Sequence, residues 1–156
     1  MKKKSTSLQC RKATFQDIPT LLQFEQGVVE AERPFNPDLK DEVKYYDLEK
    51  LIQSNDSEVI VAEIEGKIIG SGYVRIDRAL PYFRHEFQGY LGFLYIIPDQ
   101  RGQGCIQVIM EELKQWVKSK GIKQLYLEVY AENKGAVKAY EKFGFRQQIV
   151  GMNMDI

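Results

Sequence analysis

The stretch Ile97-Pro98-Asp99-Gln100-Arg101-Gly102-Gln103-Gly104-Cys105-Ile106 decides the fold. Before it, Gln88 to Ile97 is rich in Tyr, Phe, Leu and Ile and reads as a strand, closed by Pro98, which has no N–H to give to a ladder. After it, Ile106, Ile109, Met110, Leu113, Trp116 and Val117 recur at helical offsets, so an amphipathic helix runs to about Gly121. A strand that turns through two glycines directly into a helix offers an anion the free N–H groups of the helix's first turn and the positive end of its dipole. A pyrophosphate fits that description. The turn lacks the Gly-Lys-Ser/Thr of a P-loop, and Gly102-Gln103-Gly104 lacks the third glycine of a dinucleotide fingerprint. On its own, a two-glycine turn is most often only a turn.

Working outward toward the C-terminus, Leu125, Leu127 and Val129 alternate with Gln124, Tyr126 and Glu128, which predicts a strand over Gln124 to Tyr130. The helical crossover places it parallel to the strand before the turn. Asn133 reads as the cap of a last helix with Ala136, Val137, Tyr140 and Phe143 on one face and Gly144 at its end, and Phe145 to Ile156 as a final strand. Toward the N-terminus, Glu58 to Ile64 and Lys67 to Ile76 form a hairpin signal around Glu65-Gly66. Leu8 to Ala13 predicts a first strand. Asp17 then caps a helix with Pro19 in its first turn and Ile18, Leu21, Leu22, Glu25, Val28 and Val29 along one face. Pro34 and Pro37 mark a loop that leads into one or two short helices near Leu48, Leu51 and Ile52.

No repeat, low-complexity block or linker interrupts residues 1–156, so a single domain is expected, long enough to bury a core without a metal or disulfide. Lys+Arg and Asp+Glu balance at 22 each, which gives no overall field to recruit nucleic acid; the Lys2 to Lys4 run reads as a solvated tail. Cys10 and Cys105 stand far apart, and the only histidine is His85, so no zinc set and no metal is expected. There is no secretory leader pattern and no apolar run near the ~18 residues that span a bilayer, so the reading is cytoplasmic and not membrane-bound.

Three linked pieces then carry a resemblance: Arg101-x-x-Gly104-x-Ile106 after a proline-closed strand, Leu127-Glu128-Val129 some twenty residues on, and Asn133-x-x-Ala136-x-x-x-Tyr140 followed by Phe143-Gly144-Phe145. Over about Leu91 to Phe145 the chain resembles the core of the GNAT superfamily of acyl-CoA N-acyltransferases. The resemblance implies an α+β (α/β sandwich) fold: a mixed, mostly antiparallel central sheet with a splayed parallel strand pair and flanking helices. It implies acetyl-CoA as co-substrate and an amine acceptor, small-molecule or protein, with the chain as monomer or homodimer. The backbone of Leu94, Tyr95 and Ile96 would pair with the pantetheine arm. That of Gly102, Gln103, Gly104, Cys105, Ile106 and Gln107 would hold the pyrophosphate, with Arg101 nearby, and Asn133 would contact the pantetheine or simply cap its helix. Ile106 departs from the family, which has Gly or Ala there, and its branched side chain is expected to crowd the pyrophosphate or tilt the helix.

Acyl transfer to an amine expels a thiolate. A thiol near pKa ~8.5 lies below tyrosine's ~10, so the Tyr140 phenol can protonate the departing sulfur, although a tyrosine on an apolar face is commonly a core residue. An alkylammonium near pKa ~10.4 must lose a proton before attack, and Glu128 is the candidate base, with a solvent-facing role as its alternative. Glu86 and His85 are further options. The acceptor pocket is expected from about Val29 to Glu49 and Arg78 to Phe87, where Phe35, Tyr45, Tyr46, Tyr82 and Phe83 either line it or close the core. From Glu30 to Glu49 seven acidic residues face three basic ones, which suits a cationic amine. Two rivals stand beside the enzyme: a non-catalytic acyl-CoA-binding domain and a nucleotide-binding switch.

Overall fold

A computed structural model describes residues 7–156, and the Lys2 to Lys4 run lies outside the described residues. The strands are β1 (Gln9–Lys12), β2 (Ser57–Ile64), β3 (Lys67–Arg78), β4 (Phe87–Ile96) and β5 (Leu125–Tyr126). They lie in sequence order in one sheet, antiparallel except for the parallel pair β4 and β5. The helices are α1 (Ile18–Glu32), α2 (Leu48–Gln53), α3 (Cys105–Ser119) and α4 (Lys134–Phe143), with 3-10 turns at Phe15–Asp17, Arg33–Phe35 and Pro98–Gln100. The expected mixed, mostly antiparallel sheet with flanking helices is the observed architecture.

Alternation along the strands sorts the core into two layers. Ile60, Ala62, Ile69, Val74, Leu91 and Ile96 pack against Ile109, Met110, Leu113 and Val117 of α3. Val59, Val61, Tyr73 and Phe93 pack on the opposite face against Leu21, Phe24 and Val28 of α1 and Leu48 of α2. Gly70, Gly72 and Gly89 let the sheet close on the α3 side; at Gly72 a Cβ would stand 2.7 Å from Ile109 Cγ2.

Four expectations are corrected. Phe145 to Ile156 forms no strand: beyond Phe145 the segment is exposed, because β5 pairs over only two residues and offers no second edge to extend it. The strand expected over Gln124 to Tyr130 keeps its ladder only at Leu125–Tyr126 and then leaves the sheet. Leu22 is exposed, the apolar face of α1 being carried by Phe24 instead. Asp17 does not cap α1 through its side chain. Its carboxylate reaches back to the Thr14 N–H at 2.8 Å and takes both η nitrogens of Arg11 at 2.8 and 2.9 Å. That carboxylate is buried, and the guanidinium beside it holds its pKa below the ordinary value. The loop after α1 does contain two short helical pieces, the turn Arg33–Phe35 and α2.

Candidate active site

The two parallel strands part almost as soon as they meet. Gly89 pairs with Leu125 and Tyr90 with Tyr126, and beyond Tyr90 no strand among the described residues lies on that edge of β4. On its other edge β4 is irregular: Ser71 pairs with Tyr95 but Tyr73 pairs with Gly92, so Phe93 and Leu94 drop out of the ladder. Phe93 takes φ +54°, unusual for a bulky residue, and the Ser71 hydroxyl donates to its carbonyl at 3.2 Å. A bulge at Phe93 and Leu94 thus lies on the stretch of β4 whose other edge has lost its partner strand, which opens a wedge there. Residues Leu94, Tyr95 and Ile96, expected to meet an extended ligand arm, therefore do border the splay.

At the wedge's upper end lies the glycine turn. Gly102 and Gly104 adopt φ +76° and +78°, and a side chain on either would meet nothing within 4 Å. Gln100, Arg101, Gln107 and Val108 spend their N–H groups on nearby carbonyls, whereas no such bond falls on the N–H groups of Gly102, Gln103, Gly104, Cys105 or Ile106. Five successive amides at the start of α3 are therefore free, an arrangement suited to an anion. The residues present thus fit a pyrophosphate. The Ile106 side chain is partly buried and packs against the core under α3. Arg101 is near but partly engaged: its Nε donates to the Ile96 carbonyl at 2.8 Å and its guanidinium lies 5.4 Å from the Tyr95 ring centre.

Across the wedge, α4 is tied to α3 by Gln107, whose Nε2 donates to the Ala139 carbonyl at 3.2 Å. Asn133 caps α4 by accepting from the Ala136 N–H at 3.3 Å, and its Nδ2 has no hydrogen bond among the described residues. The capping role therefore leaves a donor over. Tyr140 is half-buried against the α3 core and stands edge-on to Phe145. Its hydroxyl makes no hydrogen bond among the described residues and is not fully buried. Burial and, next, the charge of Glu32 push the phenol's pKa up, which keeps it protonated at neutral pH.

The loop after α1, where the acceptor pocket is expected, is held at both ends. Asn36 donates to the Tyr130 hydroxyl at 2.9 Å, and Phe35 stacks on the Tyr130 ring. The Tyr45 hydroxyl donates to Glu32 at 2.8 Å. Buried Glu25 holds this loop by accepting the N–H groups of both Tyr45 and Tyr46 at 2.9 and 2.8 Å. Of the expected pocket aromatics, Phe35, Tyr45 and Tyr46 assemble here, while Tyr82 and Phe83 pair with one another on the connection between β3 and β4. Glu128 follows β5, exposed, accepting from Tyr126 at 3.3 Å. Its charge adds to burial in pushing Tyr90 up to about 12. Glu86 is paired with Arg78 and His85 contacts Gln88. Both sit before β4 begins, on the order of 20 Å along the strand from the bulge, so neither joins the site.

Glu32, Asn36 and Tyr130 were not singled out from sequence. The readable signal for Glu32 was its misplacement: a carboxylate in the last turn of a helix opposes the dipole. Among the described residues no cluster of metal-ligating side chains occurs, and no helix is long and apolar enough to cross a membrane.

Known proteins share this arrangement. An N-alpha-acetyltransferase of Sulfolobus acidocaldarius is 23% identical over 150 residues, covering 93% of this chain and 83% of that protein. A mutant of the Bacillus halodurans protein BH1408 superposes with a TM-score of 0.86 at 23% identity, over 95% of this chain and 99% of that one. A predicted acetyltransferase of Clostridium acetobutylicum, solved with acetyl-CoA, superposes with a TM-score of 0.71 at 19% identity and 96% coverage of each. The family model described as the acetyltransferase (GNAT) family matches residues 25–145. A match over well more than half of the chain, on a fold with the splayed pair and the free-amide turn, places this protein in the acetyltransferase (GNAT) family.

Proposed function

We propose that the protein transfers an acetyl group from acetyl-CoA to a primary amine by direct attack on the thioester. The observation that carries this reading is the run of five free amides from Gly102 to Ile106 at the start of α3, which Gln107 ties through the Ala139 carbonyl to the helix that carries Tyr140 and its unbonded hydroxyl. Bound there, acetyl-CoA supplies the activated acyl group. The backbone of Gly102 to Gln107 would hold the pyrophosphate, with Arg101 at its side. Leu94, Tyr95 and Ile96 would align the pantetheine along the unpaired edge of β4, joined by the free Nδ2 of Asn133. Unpaired N–H groups at the bulge polarise a carbonyl set against them, as an oxyanion site does.

Tyr140 donates its proton to the departing sulfur, and its raised pKa keeps that proton available. Two carboxylates flank the acceptor side, Glu128 and Glu32, and one of them relieves the amine of its proton. The Clostridium acetobutylicum neighbour with acetyl-CoA and the N-alpha-acetyltransferase relative support the same ligand and the same reaction class.

Release of free CoA thiol, followed over a panel of polyamines, aminosugars, lysine derivatives and peptide N-termini, tests the proposal. Turnover with at least one amine, and a fall of ~10²-fold in Tyr140→Phe with unchanged acetyl-CoA binding, is the expected result. Tight CoA binding with no turnover on any amine would replace the enzyme by an acyl-CoA-binding domain.

A further inference from the structure

Glu32 ends α1 without a counter-ion. Its neighbour Arg33 turns away, giving Nε to Glu30 at 2.8 Å and its η nitrogens to the carbonyls of Lys40 and Asp41 at 2.9 and 2.7 Å. On Glu32 itself, Oε2 accepts from the Tyr45 hydroxyl at 2.8 Å, and no hydrogen bond or ion pair among the described residues falls on Oε1. A half-buried carboxylate at the negative end of a helix is disfavoured twice, by lost hydration and by the dipole. The chain nonetheless holds it in place with a phenol and directs the nearest arginine elsewhere. A cation that arrives with a ligand would complete such a site.

The surroundings suit an alkylammonium. Tyr45 and Tyr46 meet edge-on with ring centres 5.8 Å apart, and Tyr46 packs on Tyr73, which gives rings that attract a cation at their faces. Glu128 also accepts from one phenol, but it is exposed, and its charge acts on Tyr90 and Tyr126, whereas the charge of Glu32 acts on Tyr140, Tyr45 and Tyr46.

We propose that Glu32 is the acceptor's docking carboxylate and its base: it seats a primary alkylammonium against the Tyr45 and Tyr46 wall and takes a proton from the nitrogen. The assignment deepens the acetyl-transfer reading and rests on it. The ammonium gives one proton to Glu32 and the neutral nitrogen bonds to the acetyl carbon. As the carbon–sulfur bond breaks, the sulfur takes the Tyr140 proton. The Tyr140 phenolate regains a proton through water at the expense of the one held by Glu32, and the second proton lost by the nitrogen leaves to solvent. The products are the amide, the CoA thiol and one released proton.

The test compares wild type with Glu32→Gln on an alkylamine, protonated at pH 7, and on an arylamine that is already neutral there. Gln keeps the volume and an oxygen for the Tyr45 hydroxyl, and the melting temperature and acetyl-CoA affinity of the variant verify that fold and cofactor site persist. The expected result is a loss of ~10²-fold or more in kcat/KM for the alkylamine, regained as pH rises toward ~10, with a smaller loss, below about tenfold, for the arylamine. Equal losses on both amines, or none on the alkylamine, would overturn the role of Glu32 while leaving acetyl transfer intact. A wild type inactive on every amine would overturn both readings.

Discussion

The Tyr45 hydroxyl donates to Glu32 across 2.8 Å, so that the loop before α2 and the last residue of α1 hold each other in place. Burial raises the Glu32 pKa, and this hydrogen bond opposes the rise. A carboxylate whose pKa is raised on folding favours the folded state only while protonated. Its contribution is present below the unfolded value of ~4.3 and is lost as pH climbs through the folded value. Glu32→Gln removes that titration. At pH 7 the variant is expected to melt no lower than wild type, with its margin narrowing as pH is brought down to about 4. The groups that face Glu32 do not blur the window: the phenols of Tyr45, Tyr46 and Tyr140 and the Arg33 guanidinium are all pushed up, away from it. Thermal melts at several pH values check this, and a margin that widens in acid contradicts it.

Asp17 predicts the opposite slope. Its pKa is held down by the Arg11 guanidinium and the Thr14 N–H, so its contribution is complete above the unfolded value of ~3.9 and fades as pH falls through the folded one. Asp17→Ala should cost about 1–3 kcal/mol at pH 7, the upper part of the range being tempered by the exposure of Arg11. Denaturant titrations at pH 7 and pH 3 measure it, and the two proteins should converge in acid.

Gly104 sits immediately before α3 at φ +78° with open space where a side chain would go. Alanine there brings no clash, only the strain of a left-handed backbone, about 1–2 kcal/mol. If the turn keeps its shape, Gly104→Ala lowers stability by that amount and leaves acetyl-CoA affinity alone. If the turn relaxes, the free amides are lost from register and affinity falls by roughly 5- to 30-fold. Melting and calorimetric titration together should recover the cost in one place or the other, and no change in either would show the turn to be unstrained.

The parts of this protein that were legible in sequence are those set by local chemistry. Pro98, the glycines and the helical spacing from Ile106 to Val117 announce strand, turn and helix without help from the rest of the chain. The ladder that fails after Tyr126 is different, because Leu127 and Val129 keep strand-like alternation while the splay denies them a partner. The same holds for Phe145 to Ile156, whose apolar residues are spaced for a strand but find no edge. Pairing is a tertiary property. For the site, Asn133 and Tyr140 lie on one helix and their spacing could be read. Glu32, Tyr45 and Tyr130 lie on three separate segments, brought together by Glu25, which fastens the backbone of Tyr45 and Tyr46 to α1, and by Asn36 and Phe35, which hold Tyr130.

Gly27 connects stability to the ligand site. A Cβ there would lie 2.5 Å from Tyr95 Cε2 and 2.7 Å from its hydroxyl oxygen. In an exposed helix, alanine in place of glycine is worth up to about 1 kcal/mol, so propensity alone favours Gly27→Ala. Packing opposes it. The Tyr95 ring has Phe24 4.9 Å away and the Arg101 guanidinium 5.4 Å away, and Arg101 in turn holds the Ile96 carbonyl at the end of β4. An intruding methyl must move the ring, and overpacking of this kind costs about 1–3 kcal/mol. The displaced ring would press on Arg101 and disturb the turn that carries the free amides. Gly27→Ala is therefore expected to melt lower and to bind acetyl-CoA more weakly than wild type, although it lies on the far side of Tyr95 from the anion seat. A variant that is more stable and binds equally well would mean that Tyr95 has room to move, and that α1 does not brace the turn.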